Sequence, residues 1–161
     1  MSLREKVTGL VRTVCRGGVA VLALAVLPAT AAADGEEAHG CLAQTLYFEA
    51  KSEGRQGMLA VGWVVLNRMR DGEFPRSVCG VVKQGREKPG CQFSYWCDGK
   101  SDAPKPDDEW VLAQDVARDL LSKPPPDPTG GAMFYHAVEV SAPWTATRKR
   151  TGQIGRHIYY R

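Results

Sequence analysis

The sequence predicts an α+β fold, mainly helical, with a small terminal β element. Three stretches between residues 37 and 121 repeat apolar side chains at helical spacing, whereas two runs of strand character, 132–136 and 155–160, fall together near the C-terminus. The Pro-rich segment 123–131 between them reads as a stiff surface connection rather than a domain boundary, because the residues after it are too few to fold alone.

The elements follow in order. Arg4, Lys6, Arg12 and Arg16 against a single Glu5 precede the apolar run 19–27, and Ala31-Ala32-Ala33 offers an A-x-A cleavage site before Asp34. Residues 1–33 therefore read as a cleavable secretory signal, since the apolar run is shorter than the ~18 to 20 residues of a membrane-spanning helix. The expectation is an exported protein with no membrane attachment after cleavage and a single domain over 34–161. In the span 37–52, Leu42, Leu46 and Ala50 share one helical face, with Ala43 and Tyr47 beside them. Gly54 is the expected terminator, which places Glu49 near the last turn. A second helix is expected over 55–70 on Leu59, Val61, Val64, Val65 and Met69, with Gly57 and Gly62 lowering its propensity but allowing close helix approach. A third, capped by Asp107 or Asp108, runs through Leu121 and buries Trp110, Ala113, Val116, Ala117, Leu120 and Leu121. The intervening segment 74–106 is rich in Gly, Pro, Cys and aromatic residues, and so long a loop in a small domain points to substrate contacts.

Charge and cysteine content narrow the function. The whole chain carries 21 Lys plus Arg against 18 Asp plus Glu. Loss of the four cationic residues and one acidic residue of the signal leaves the rest formally neutral, so net charge gives no reason to expect a nucleic-acid partner. The run Arg148-Lys149-Arg150 reads as a solvated basic loop, with contact to an anion as the alternative. Cys41, Cys79, Cys91 and Cys97 remain after Cys15 departs, and four cysteines in an exported domain suggest two disulfides with three possible pairings. Zinc held by these cysteines with His39, His136 or His157 is the competing reading, but no C-x-x-C pair is present. No metal or other cofactor is expected, and the chain is read as a monomer.

Glu49 is the one carboxylate inside the apolar-aromatic run Leu46-Tyr47-Phe48-Glu49-Ala50. Such neighbours disfavour its charged form and raise its pKa, as a general acid working near neutral pH requires. Glycosidic cleavage usually needs a second carboxylate. Glu53, four residues on, is expected on the same helical face, where two stacked carboxylates cannot easily flank opposite faces of a sugar, so it reads as a partner for a backbone amide or a cation. Phe93, Tyr95 and Trp96 share one loop with Gln92 and Ser94, a mixture of ring faces and polar edges suited to sugars, although a pinned loop filling a core has the same composition. Tyr135-His136 can orient substrate or serve structurally, and Asn67 can bond backbone near a helix end.

The segments Cys41-Leu42-Ala43-Gln44-Thr45-Leu46-Tyr47-Phe48-Glu49-Ala50-Lys51-Ser52-Glu53-Gly54, Gln56-Gly57-Met58-Leu59-Ala60-Val61, Val65-Leu66-Asn67-Arg68, Phe74-Pro75, Cys79-Gly80-Val81-Val82 and Gln92-Phe93-Ser94 together resemble the cell wall hydrolase family of the spore cortex-lytic enzyme (SleB-like) type. Tyr135-His136 and the ending Ile154-Gly155-Arg156-His157-Ile158-Tyr159-Tyr160 extend the resemblance over about residues 41–160. It implies a lysozyme-like domain acting on peptidoglycan glycan strands, in the periplasm or secreted to the cell wall. It maps the catalytic glutamate onto Glu49, and implies lytic transglycosylation between N-acetylmuramic acid and N-acetylglucosamine, which needs no second carboxylate. Substrate contacts are expected from Tyr47, Gln92, Phe93, Ser94, Tyr135 and His136, with support from Glu53, Gln56 and Asn67. The alternatives are a hydrolytic muramidase using Glu53 or Asp98, and a non-catalytic glycan-binding or inhibitor module.

Overall fold

A computed structural model describes residues 29–85 and 90–161. Most of the expected secretory signal, including Cys15, lies outside the described residues.

The first helix, α1, spans Ala29–Ala50 and so begins earlier than the sequence pattern suggests. The alanines at 29 and 31–33 have the highest helix propensity of any residue, which extends the helix without an apolar stripe. Its other end corrects the sequence reading. A tight 3₁₀ turn, Lys51–Glu53, follows α1, and α2 runs over Gly54–Arg70. Gly54 has φ of 61°, a backbone conformation that side chains disfavour, and it redirects the chain between the two helices. Glu49 and Glu53 are therefore not on one continuous helical face.

The segment read as loop contains a short helix, α3, at Val78–Val82, whose N-cap Ser77 accepts the Gly80 N–H at 3.1 Å. Five residues, three of them valine, fall below any window in which helical periodicity registers. Helix α4 covers Asp108–Ser122, and Asp107 is its cap, accepting the Trp110 N–H at 2.9 Å. Leu121, expected in the buried face, is exposed.

Helices α1, α2 and α4 pack around Leu42, Leu46, Met58, Val61, Val65, Ala113, Val116, Ala117 and Leu120, all essentially inaccessible to solvent. Gly62 permits that approach: a Cβ at this position would overlap Leu120 Cδ1 and stand 3.2 Å from Leu46 Cδ2. The opposite side of α2 carries a second core, Ala60 and Val64 with Ala132 and Tyr159, which seats the sheet.

The sheet is antiparallel in order β1-β3-β2, with β1 at Phe134–Ala137, β2 at Arg150–Ile154 and β3 at His157–Tyr160. Phe134 pairs with Tyr160, and Ala137 with His157. Strand β2 takes in Arg150 of the run read as a solvated basic loop; Lys149 and Arg150 are exposed as that reading has it, whereas Arg148 is half-buried. The pattern of β2 is obscured by Gly152 and by an irregularity between Arg150 and Gly152, and pairing with β3 holds it in place. Two disulfides complete the frame: Cys41–Cys79 joins α1 to α3, and Cys91–Cys97 closes the loop after α3. With their sulfurs bonded to each other, these cysteines offer no thiolates to zinc.

Candidate active site

The last turn of α1 presents Glu49 beside Phe48, whose ring stacks on Tyr95 with centroids 4.8 Å apart. Tyr95 is itself fixed. Thr45 Oγ1 gives its proton to the Cys41 carbonyl at 2.9 Å, so the 3.0 Å contact between Thr45 and Tyr95 is donated by the Tyr95 hydroxyl. Glu49 thus leaves the helix against a rigid aromatic wall.

Strand β1 supplies its partner. The Tyr135 hydroxyl donates to Glu49 Oε2 at 2.9 Å, across 86 residues of sequence. The Tyr135 ring is held edge-on against His157 and tilted against Tyr159, at 4.9 and 5.8 Å. Burial raises the Glu49 pKa above the ordinary carboxylate value, while the Tyr135 hydrogen bond and the positive charge of Arg68 oppose that rise without cancelling it. Burial and the charge of Glu49 in turn push the Tyr135 hydroxyl well above its ordinary value, so it remains a donor.

Arg68 enters from α2. It is 4% exposed; its Nε donates to the Met133 carbonyl at 2.7 Å, and its guanidinium lies 5.3, 5.5 and 5.5 Å from the ring centroids of Phe74, Phe93 and Phe134. Burial lowers its pKa to about 10, which still leaves it cationic at neutral pH. Arg68, Cys91, Gln92, Phe134, Tyr135, Trp144 and Arg148 line an open cleft of about 330 Å³. Tyr135 belongs to both constellations: it faces this cleft and holds Glu49.

The expected site residues divide accordingly. Gln92 and Tyr135 line the cleft, and exposed Ser94 opens the 3₁₀ turn Ser94–Cys97 beside it. Phe93 is 1% exposed and packs over Arg68, and Tyr47 is equally buried, its hydroxyl donating to Asp107 Oδ2 at 2.8 Å. Both His136 nitrogens have partners, the Ala137 carbonyl at 2.8 Å and the Tyr160 hydroxyl at 3.1 Å. Glu53 Oε2 accepts the Arg156 N–H at 2.8 Å in the β2–β3 turn. Exposed Gln56 borders a separate pocket with Leu59, Pro126, Pro128 and Ile154. Asn67 donates to Asp127 Oδ2 and to the Ala132 carbonyl, at 3.0 and 3.1 Å. Asp98 is exposed and accepts the Lys100 N–H.

Sequence reasoning passed over Arg68, Asp127, Phe134 and Trp144 as site residues, and named Arg148 only within the basic run 148–150, with anion contact as the alternative reading. Arg68 had a signal: it lies three, four and seven residues after Val65, Val64 and Val61, on the buried side of α2, where a lone cation is unusual. Asp127 gathers the Thr129 and Gly131 N–H groups and the Thr129 hydroxyl as well as Asn67, and so shapes the approach to β1. Trp144 lies in the turn Pro143–Thr147, where no periodicity marks it. Among the described residues, no helix is long and apolar enough to cross a membrane.

Known proteins resemble this chain in sequence and in fold. The family model described as Cell Wall Hydrolase matches residues 52–160; Glu49 stands just before that segment. The spore cortex-lytic enzyme of Oceanobacillus iheyensis is 31% identical over 121 residues, covering 73% of this chain but only 39% of that protein. The catalytic domain of the Bacillus cereus SleB protein superposes with a TM-score of 0.63 and 28% identity, over 78% of this chain and 91% of that domain. The catalytic domain of the germination-specific lytic transglycosylase SleB from Bacillus anthracis gives the same score and identity, over 78% of this chain and 95% of that domain.

Proposed function

The chain belongs to the cell wall hydrolase family, and from that premise we propose that it degrades peptidoglycan as a lytic transglycosylase, cleaving between N-acetylmuramic acid and N-acetylglucosamine to leave 1,6-anhydro ends. The observation that carries the proposal is the Glu49–Tyr135 pair. A half-buried carboxyl group with a raised pKa, held by a neutral hydroxyl at the edge of an aromatic-lined cleft, is equipped to give up a proton and then to take one.

In the first step Glu49 protonates the glycosidic oxygen, and the C1–O bond breaks as positive charge develops at C1 of the muramic residue. In the second the Glu49 carboxylate removes the proton of the C6 hydroxyl, and that oxygen bonds to C1. The glutamic acid is regenerated, with no water consumed. Trp144 offers a ring face to the sugars, and Gln92 offers an amide to their edges. Export by a signal in residues 1–33, with the domain 34–161 acting as a monomer in the periplasm or at the cell wall, completes the reading.

The test is digestion of purified peptidoglycan with protein produced from residue 34 onward, and mass spectrometry of the fragments. Anhydro ends are expected; reducing ends alone would replace the proposal with hydrolysis by a muramidase, and no cleavage would leave a glycan-binding module. Glu49→Gln keeps shape but cannot donate the proton, and should abolish cleavage with little change in melting temperature.

A further inference from the structure

The cleft beside Glu49 holds two guanidinium groups and, among its described lining residues, no carboxylate. Arg148 lies face-on to Phe134, 3.4 Å from the ring centroid, and 6.0 Å from the centroid of Trp144. Arg68 approaches the same Phe134 ring at 5.5 Å. The two cations share one aromatic platform, and the charge of Arg148 acts against that of Arg68. Neither makes an ion pair among the described residues. Each also has a buried nitrogen without a hydrogen-bond partner, Nη1 of Arg68 and Nε of Arg148. For Arg68, which is 4% exposed, the one hydrogen bond among the described residues is the one its Nε donates to the Met133 carbonyl.

Removing a cation from water costs several kcal/mol unless a counter-charge is supplied. Two like charges against one ring raise that cost, and Glu49 does not meet it while it carries its proton. The unmet requirement is for an anion with planar, forked acceptors, which suits guanidinium donors in a bidentate arrangement. Peptidoglycan carries such groups. They are the carboxylates of its stem peptides and, where the peptide has been removed, the lactyl carboxylate of muramic acid.

We propose that Arg68 and Arg148 form a carboxylate-recognition site that selects glycan strands by their acidic substituents. The proposal rests on the peptidoglycan reading above and adds to it a preference within that substrate. Arg148 is the specificity-determining member, since Arg68 also fixes the Met133 backbone.

The experiment compares wild type with Arg148→Gln on peptidoglycan sacculi before and after carbodiimide coupling of their carboxylates to methylamine, reading initial rates of fragment release at low substrate. A charge-assisted hydrogen bond is worth roughly 1.5–3 kcal/mol, so blocking the carboxylates should slow wild type about tenfold or more. Arg148→Gln should lose a similar factor on untreated sacculi and little more on blocked ones, and Arg148→Lys should recover part of the loss. Wild type indifferent to blocking overturns the proposal, as do losses that simply multiply. Peptide-free strands prepared with an amidase assign the source: Arg148-dependent cleavage there places the lactyl group in the site, and dependence confined to peptide-bearing strands places the stem peptide. Matching melting temperatures of the variants exclude a folding defect. Failure of every protein to cleave any strand would instead sink the proposed function.

Discussion

Tyr135→Phe isolates the hydrogen bond from Tyr135 that tunes Glu49. The Tyr135 hydroxyl stays protonated and donates at 2.9 Å, favouring the carboxylate over the acid. Burial raises the Glu49 pKa, and the hydroxyl and Arg68 limit the rise. Deleting the hydroxyl removes one of those two restraints. A hydrogen bond to a charged group contributes about 1.5–3 kcal/mol, here in favour of the carboxylate, so its loss raises the Glu49 pKa further. In the proposed mechanism catalysis begins with Glu49 protonated, so the alkaline limb of kcat/KM should move to higher pH in the variant. The assay is fragment release from solubilised peptidoglycan across the pH range at constant ionic strength. Stability supplies a second readout. A carboxyl group whose folded pKa is raised contributes fully below its unfolded pKa and loses that contribution as pH rises through the folded value. The wild-type melting temperature should therefore decline over that window relative to Glu49→Gln, and Tyr135→Phe should extend the decline upward. An alkaline limb that stays in place, or moves to lower pH, refutes the assignment of Tyr135 as the group that restrains the Glu49 pKa.

Two further outcomes test the frame that holds the site. Gly155 has φ of 54°, and a Cβ there would overlap Glu53 Oε2, so Gly155→Ala should cost about 1–3 kcal/mol and lower the melting temperature by several degrees; an unchanged transition would mean the β2–β3 turn does not depend on Glu53. The Cys41–Cys79 bridge spans 38 residues, for which loop-closure entropy predicts about 4 kcal/mol. Replacing both cysteines by serine should lower the denaturant midpoint, and a midpoint unchanged in the double variant would remove the bridge from the account.

The helical part of the fold was legible because its signals are local. Apolar spacing located the three long helices, Asp107 was one of two named caps for α4, and Gly62 was marked as a point of close approach. Strand β2 and helix α3 were not legible: β2 is stabilised by backbone pairing to β3, and α3 is a single turn braced by a disulfide. Glu49 stood out through its aromatic flank, which is local too. Its link to Tyr135 spans 86 residues, and the cleft gathers side chains from α2, the Cys91–Cys97 loop, β1 and the turn at Trp144. No spacing rule in the sequence encodes that convergence. It follows from the sheet packing on the back of α2 through Ala60, Val64, Ala132 and Tyr159.

The break between α1 and α2 bears on the number of carboxylates available for chemistry. Had the helix continued, Glu53 would have stood one turn beyond Glu49 on the same side. The 3₁₀ turn and Gly54 instead send the two side chains to different partners: Glu49 to the Tyr135 hydroxyl on β1, and Glu53 to the Arg156 N–H in the β2–β3 turn. A Cβ at either Gly57 or Gly155 would overlap Glu53, so this carboxylate is packed from two sides. Asp98, the other residue considered for a second role, is occupied by the N–H and ammonium of Lys100. Neither is among the described residues lining the cleft. A hydrolytic route would have to free one of these groups from its contacts and bring it to the sugar, whereas a route in which Glu49 acts first as acid and then as base requires no such rearrangement. Weakening the Glu53 contact should therefore act through the stability of the β2–β3 turn and the placement of Tyr135, not through loss of a nucleophile. Glu53→Gln retains an oxygen for the Arg156 N–H, so it should preserve most of the cleavage rate, and a loss comparable to that of Glu49→Gln would restore Glu53 as a chemical participant.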